Sequence, residues 1–187
     1  PAQILAAQAD ADLTILGKTG WSLAGSSRLG STVQTVISSG RGMTMIFQKG
    51  ISLEIPILVI YTGSSLSEKA LEVGIEMAQK RSSSLTVIAL SEFREGFQSL
   101  KKDIESKLKS VDFSTTIRYI KFSSTYSLKE SLQWEGSGPL IIPREEPYFS
   151  GQFLEEFLNI LSNPVVLVQN HDEPMENEKK GDKWKIV

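Results

Sequence analysis

The stretch GKTGWSLAGSSRLGST, from Gly17 to Thr32, gathers the residue types best able to hold a phosphate. Gly17, Gly20 and Gly30 can let the backbone approach a ligand closely and reach positive φ. Gly30, Ser31 and Thr32 offer amide N–H groups and hydroxyls at the start of a helix whose apolar face is Val33, Val36 and Ile37. The dipole of such a helix favours an anion at its N-terminus by about 0.3–1 kcal/mol. The letters Gly-Lys-Thr suggest a Walker P-loop, but that loop requires a glycine where this chain has Asp12. The dinucleotide pattern G-x-G-x-x-G fails as well, because no third glycine follows at the right distance. What remains is a strand end followed by G-x2-G-x9-G-[S/T].

Other chemistry is sparse. Trp21 and Arg28 lie inside the same loop and could touch a base or a phosphate, although an exposed loop position accounts for them as well. His171 opens a polar tail and reads as a solvated surface residue. Glu145 and Glu146 are adjacent, so on an extended segment they point apart instead of forming an acid/base pair. The chain has no cysteine, which removes disulfides, thiolate nucleophiles and thiolate metal sites and gives a cytoplasmic location as the default. Charge is nearly balanced, with a net of −2, so no basic face for nucleic acid is expected. No apolar run approaches the ~20 residues of a membrane span, so no membrane contact is expected from this chain.

The elements that must position the loop are short apolar runs: DLTIL at 12–16, MTMIF at 43–47, PILVIY at 56–61, LTVIAL at 85–90, TTIRYIKF at 115–122, GPLIIP at 138–143 and PVVLVQ at 164–169. Continuous runs of this kind fit strands buried on both faces. Helical spacing separates most of them. It is clearest from Ser65 to Arg81, where Ala70, Leu71, Gly74, Ile75 and Ala78 share a face and Ser65 with Glu68 has the spacing of a capping box. Phe93, Phe97, Leu100, Ile104 and Leu108 form a second such stripe and predict core packing. The alternation predicts an α/β fold with a mostly parallel sheet.

The two ends of the chain align. ADLTILGKTG...GSTVQTVISSGRGMTMIFQ and GPLIIPREEP...GQFLEEFLNILSNPVVLVQ share the order strand, loop, helix, strand, each closing on Gln. The chain therefore divides into residues 1–50, half of a first domain; 51–170, a complete second domain; and a polar tail at 171–187.

The G-x2-G-x9-G-[S/T] spacing, with its flanking strands, resembles the nucleotide-binding signature of the universal stress protein family. ADLTILGKTG looks like that family's fourth strand and RGMTMIF like its fifth. IPILVIYTGSSLSEKALEVGIEMAQKRSSSLTVIAL is similar to its opening strand, helix and second strand. The resemblance implies a tandem protein whose N-terminal copy is truncated. It also implies a parallel open sheet of order 3-2-1-4-5, of the adenine-nucleotide alpha-hydrolase-like type, extended by two strands of the partial copy through fifth-strand pairing. The resulting order is 3-2-1-4-5-5'-4', with the strand at 12–16 on an exposed edge.

By the same resemblance, Gly17, Gly20, Gly30, Ser31 and Thr32 bind ATP or AMP, with Mg admitted as an accompanying ion, and only half the site lies in this chain. Family members that bind ATP also use an aspartate after the first strand, where this chain has Thr62. The second copy's loop, IIPREEPYFSGQFLEEF, has Pro143 near the first glycine position and a single Gly151 before its helix. That copy is expected to be a scaffold that binds no ATP.

The resulting function is a nucleotide-binding stress-response or regulatory protein, paired within the chain or as a homodimer. Slow ATP hydrolysis rests on family analogy alone, and no residue is assigned as catalytic. The alternative is a non-enzymatic interaction module, including the cytoplasmic part of a larger membrane or transport protein.

Overall fold

All seven branched apolar runs are strands, and the helices between them lie against both faces of one sheet. The computed structural model describes residues 3–5, 11–19, 28–40, 42–47, 56–144 and 148–169; Gly20, Trp21, Glu145, Glu146 and His171 fall outside the described residues. The strands are β1 (Leu13–Gly17), β2 (Met43–Phe47), β3 (Ile57–Tyr61), β4 (Leu85–Ser91), β5 (Thr115–Lys121), β6 (Leu140–Pro143) and β7 (Val165–Val168). The helices are α1 (Ser31–Ser39), α2 (Ser65–Arg81), α3 (Arg94–Leu108), α4 (Thr125–Gln133) and α5 (Gly151–Ile160).

The sheet order is β1-β2-β7-β6-β3-β4-β5. Numbered within the second unit, β3 to β7 run 3-2-1-4-5, and β2 and β1 extend the sheet beyond β7 in the expected order. Every pair is parallel except β2 with β7, which run antiparallel with Met45 opposite Val166.

Side chains alternate across the strands, and so the sheet feeds two cores. Leu58, Ile60, Ile142 and Leu167 face α1, α4 and α5 and pack with Val33, Leu128 and Phe157. Val59, Val87, Ile141 and Val166 face α2 and α3 and pack with Leu71, Ala78 and Ile104. Burial on both faces holds for β3, β6 and β7 but fails at the ends of the sheet, where β1 alternates between exposed and half-buried positions and β5 buries only Ile120.

Two local expectations shift. The cap of α2 is Ser64, one residue before the predicted Ser65: its hydroxyl accepts from the Ser67 amide at 3.0 Å. Gly63, at φ +87, turns the chain sharply enough to leave Ser64 extended and poised to cap. Phe93 lies one residue ahead of α3 as its N-cap and is 69% exposed, so the apolar stripe of that helix begins at Phe97.

Candidate functional site

The loop after β1 is closed at its neck by two backbone bonds. The Lys18 amide donates to Phe47 O at 2.7 Å, extending the β1–β2 ladder, and the Gly30 amide donates to Lys18 O at 2.9 Å. The structure thus brings the Gly17 and Gly30 ends of the loop together at a strand's carboxyl end. Gly30 is the N-cap of α1, which carries no side-chain cap and no acidic residue in its first turn. Ser31 is exposed and Thr32 half-buried in that turn. Gly30 spends its own amide on Lys18, so the donors that helix geometry leaves for an anion are the amides of Ser31, Thr32 and Val33.

The expected reason for these glycines is only partly right. Positive φ among the described glycines occurs at Gly42, Gly63, Gly136 and Gly151, and neither Gly17 nor Gly30 needs it; Gly30 sits at φ −64, ψ 149. A Cβ added to Gly17 would have Thr19 O, at 3.6 Å, as its nearest neighbour. Among the described residues nothing crowds a side chain at Gly17, and that is the space a ligand drawn close to the backbone would use.

Lys18, whose place in a Gly-Lys-Thr triplet carries no P-loop meaning, has a structural task. It is buried, and its ammonium donates to Leu161 O at 2.6 Å and Asn159 O at 3.1 Å, the carbonyls at the end of α5. A cation there meets the negative end of the helix dipole and satisfies carbonyls the helix leaves over. Beside it, the Leu29 amide donates to Asn159 Oδ1 at 2.8 Å. Lys18→Met leaves those carbonyls short of a donor and is expected to cost about 1–3 kcal/mol, lowering Tm by about 2–12 °C in a melting experiment.

Burial, with a smaller push from the charge on Lys129, lowers the Lys18 ammonium below its ordinary 10.5. Across the window from that lowered value up to 10.5 the unfolded chain holds the proton more tightly than the fold does, so stability rises with pH. Wild type is expected to gain on Lys18→Met over this alkaline window.

At the corresponding place in the second unit, the described residues beyond β3, β5 and β6 make contacts within the chain. Thr62, where a carboxylate would be needed, is half-buried and donates to Ser64 Oγ at 3.3 Å. Tyr61 points to the opposite face, where its hydroxyl donates to Asp103; burial first, then that bond and the nearby carboxylates, push the phenol well above its usual range. Beyond β6, Phe149 is fully buried, with ring centroids 6.2 Å from Phe153 and 5.6 Å from Phe157. Tyr148 packs edge-on to Phe122, the residue following β5, at 4.9 Å. Open α/β sheets bind ligands in the crevice at the carboxyl ends of the strands; Tyr148 and Phe149 follow β6 and Phe122 follows β5, so this aromatic cluster borders that end of the sheet. Gly151, at φ +51, sits in the left-handed region that favours glycine, unlike Gly30.

A cavity of about 290 Å³ lies elsewhere, between α1 and α5, where Gln34, Ser38, Arg144, Gly151 and Glu155 line it. It includes none of Gly17, Gly30, Ser31 or Thr32. Among the described residues no group of three His, Cys, Asp or Glu side chains could hold a metal, and no helix is long and apolar enough to cross a membrane.

No protein-family model matches the sequence, and no curated protein matches it. Solved structures do match. A universal stress protein from Archaeoglobus fulgidus DSM 4304 superposes with a TM-score of 0.73 at 18% identity, over 92% of this chain and 66% of that one. A functionally unknown protein from Pseudomonas aeruginosa PAO1 gives 0.68 at 14% identity, over 91% and 68%. A protein from Pseudomonas aeruginosa UCBPP-PA14, provisionally named a universal stress protein, gives 0.69 at 14% identity, over 90% and 67%. The chain has the universal stress protein fold and spans about two thirds of the length of these proteins.

Proposed function

We propose that this chain is part of a tandem universal stress protein whose first unit binds ATP or AMP through Gly17, Gly20, Gly30, Ser31 and Thr32, with a regulatory role in stress response. The second unit serves as its scaffold. The observation that carries the reading is the glycine loop: its two ends meet at a strand's carboxyl end and a helix N-terminus, and the backbone of Gly30 is one that any residue adopts. Phosphates would lie against the first-turn amides of α1 and the Ser31 and Thr32 hydroxyls. Mg would come with the phosphates. The wall that would hold adenine, which the resemblance places on strands preceding β1, has no counterpart among the described residues. Calorimetric titration with ATP tests the reading. Saturable binding that Gly30→Asp weakens is expected; heats unchanged by that substitution would sink it.

One observation favours a second reading, an interaction module. β1 is an edge strand, and Leu13 and Ile15 are 41% and 65% exposed on it. An apolar strand edge with an open ladder is a template for another strand. On this reading a second copy of the chain pairs there, dimer mass appears in light scattering as concentration rises, and Ile15→Lys abolishes it. A monomer across a wide concentration range would contradict it.

A further inference from the structure

The two βαβ units, β1-α1-β2 and β6-α5-β7, correspond residue by residue at their cores. The Lys18 amide meets Phe47 O as the Arg144 amide meets Val168 O, at 2.7 and 2.8 Å. The Gly40 amide closes α1 on Val36 O as the Leu161 amide closes α5 on Phe157 O. Lys18 thus stands where Arg144 stands in the other unit, and Ser38 where Asn159 stands. Because β2 and β7 pair antiparallel, each unit's cation faces the carbonyl end of the other unit's helix.

The reciprocity is unequal. Arg144 reaches Ser38 O at 3.5 Å and gives its shorter bond, 2.5 Å, to Gln169 Oε1, while the Ser38 hydroxyl turns back to Thr35 O at 3.0 Å. On the other side three bonds converge on the end of α5: Lys18 Nζ to Leu161 O and Asn159 O, and the Leu29 amide to Asn159 Oδ1. Lys18 and Leu29 flank the two ends of the glycine loop, and Leu29 is itself buried in the core beside Leu161. Asparagine at 159 supplies what serine at 38 is too short to supply, a side-chain acceptor reaching across to the neighbouring unit's loop.

We infer that Asn159 of the second unit is a positioning residue for the glycine loop of the first, holding the Leu29–Gly30 end of its neck in register with Lys18. As a nucleotide-site device this rests on the nucleotide reading above; as a loop anchor it stands by itself.

Amide hydrogen exchange in the full chain separates the two levels. Asn159→Leu keeps the size and removes the acceptor, so the Leu29 and Gly30 amides are expected to exchange about tenfold faster, the worth of one hydrogen bond. The β3 and β4 amides should stay protected, which shows that the fold is intact, and Asn159→Asp, which retains an acceptor oxygen, should restore protection at Leu29. ATP affinity of Asn159→Leu should fall by a similar factor. Unchanged exchange at Leu29 and Gly30 overturns the inference. So does faster exchange with unaltered ATP affinity in a protein whose wild type binds. If wild type takes up no ATP, the nucleotide reading falls, and the exchange comparison alone decides whether Asn159 anchors the loop.

Discussion

Phe149→Ala is expected to cost about 3–5 kcal/mol in chemical denaturation, a large share of a typical domain's stability. Phe149 has no exposed surface, touches Phe153 and Phe157 through its ring, and belongs to the core that includes Leu128, Leu154 and Ile142. Truncation removes the transfer energy of the ring and leaves a void that the strands and α5 cannot close by small shifts. The opened space is not expected to create a nucleotide site. Thr62 offers no carboxylate, and the sequence between β6 and α5 contains no glycine, Gly151 being the first residue of the helix. A cost below about 1 kcal/mol, far under the range for a buried aromatic, would show that Phe149 is not packed in the core as described.

Gly30→Asp should have the opposite profile, harmless to the fold and severe for the ligand. At φ −64 and ψ 149 an aspartate is unstrained, and as an N-cap it serves better than glycine by a few tenths of a kcal/mol. Its charge also suits the start of α1, where no acidic side chain now stands. Melting temperature is therefore expected to hold or rise slightly. The same carboxylate would stand against the phosphates, and repulsion between charges about 4 Å apart, about 1–4 kcal/mol, weakens ATP by about fivefold to several hundredfold. A variant that melts early would show that α1 does not begin as described. One that binds ATP like wild type would remove the loop from the site.

The strands were legible because each run of branched residues is short, bounded and repeated, whereas their order came through the resemblance to the universal stress protein family and not from the runs themselves. The loop was legible from its glycine spacing. What spacing could not carry is contact between distant residues. Lys18 and Leu161 are 143 positions apart, and nothing local to GKTG signals that its lysine caps a helix from the other end of the chain. Asn159 sits in an ordinary amphipathic helix, α5, whose spacing does not distinguish it. Similarly, TGSS offers two serines to one helix start, and only the turn at Gly63 decides for Ser64. The exposure of Phe93 follows from where α3 begins, which its hydrophobic period alone does not set. The solved neighbours share the fold at identities of only 14–18%.

The central claim is one nucleotide loop in the first unit and none in the second. Calorimetric titration of ATP into the protein measures this directly through its stoichiometry. The account predicts a single site per chain, weakened in Gly30→Asp and retained when Gly151, at the start of α5, is substituted. Two sites per chain, or none, would contradict it.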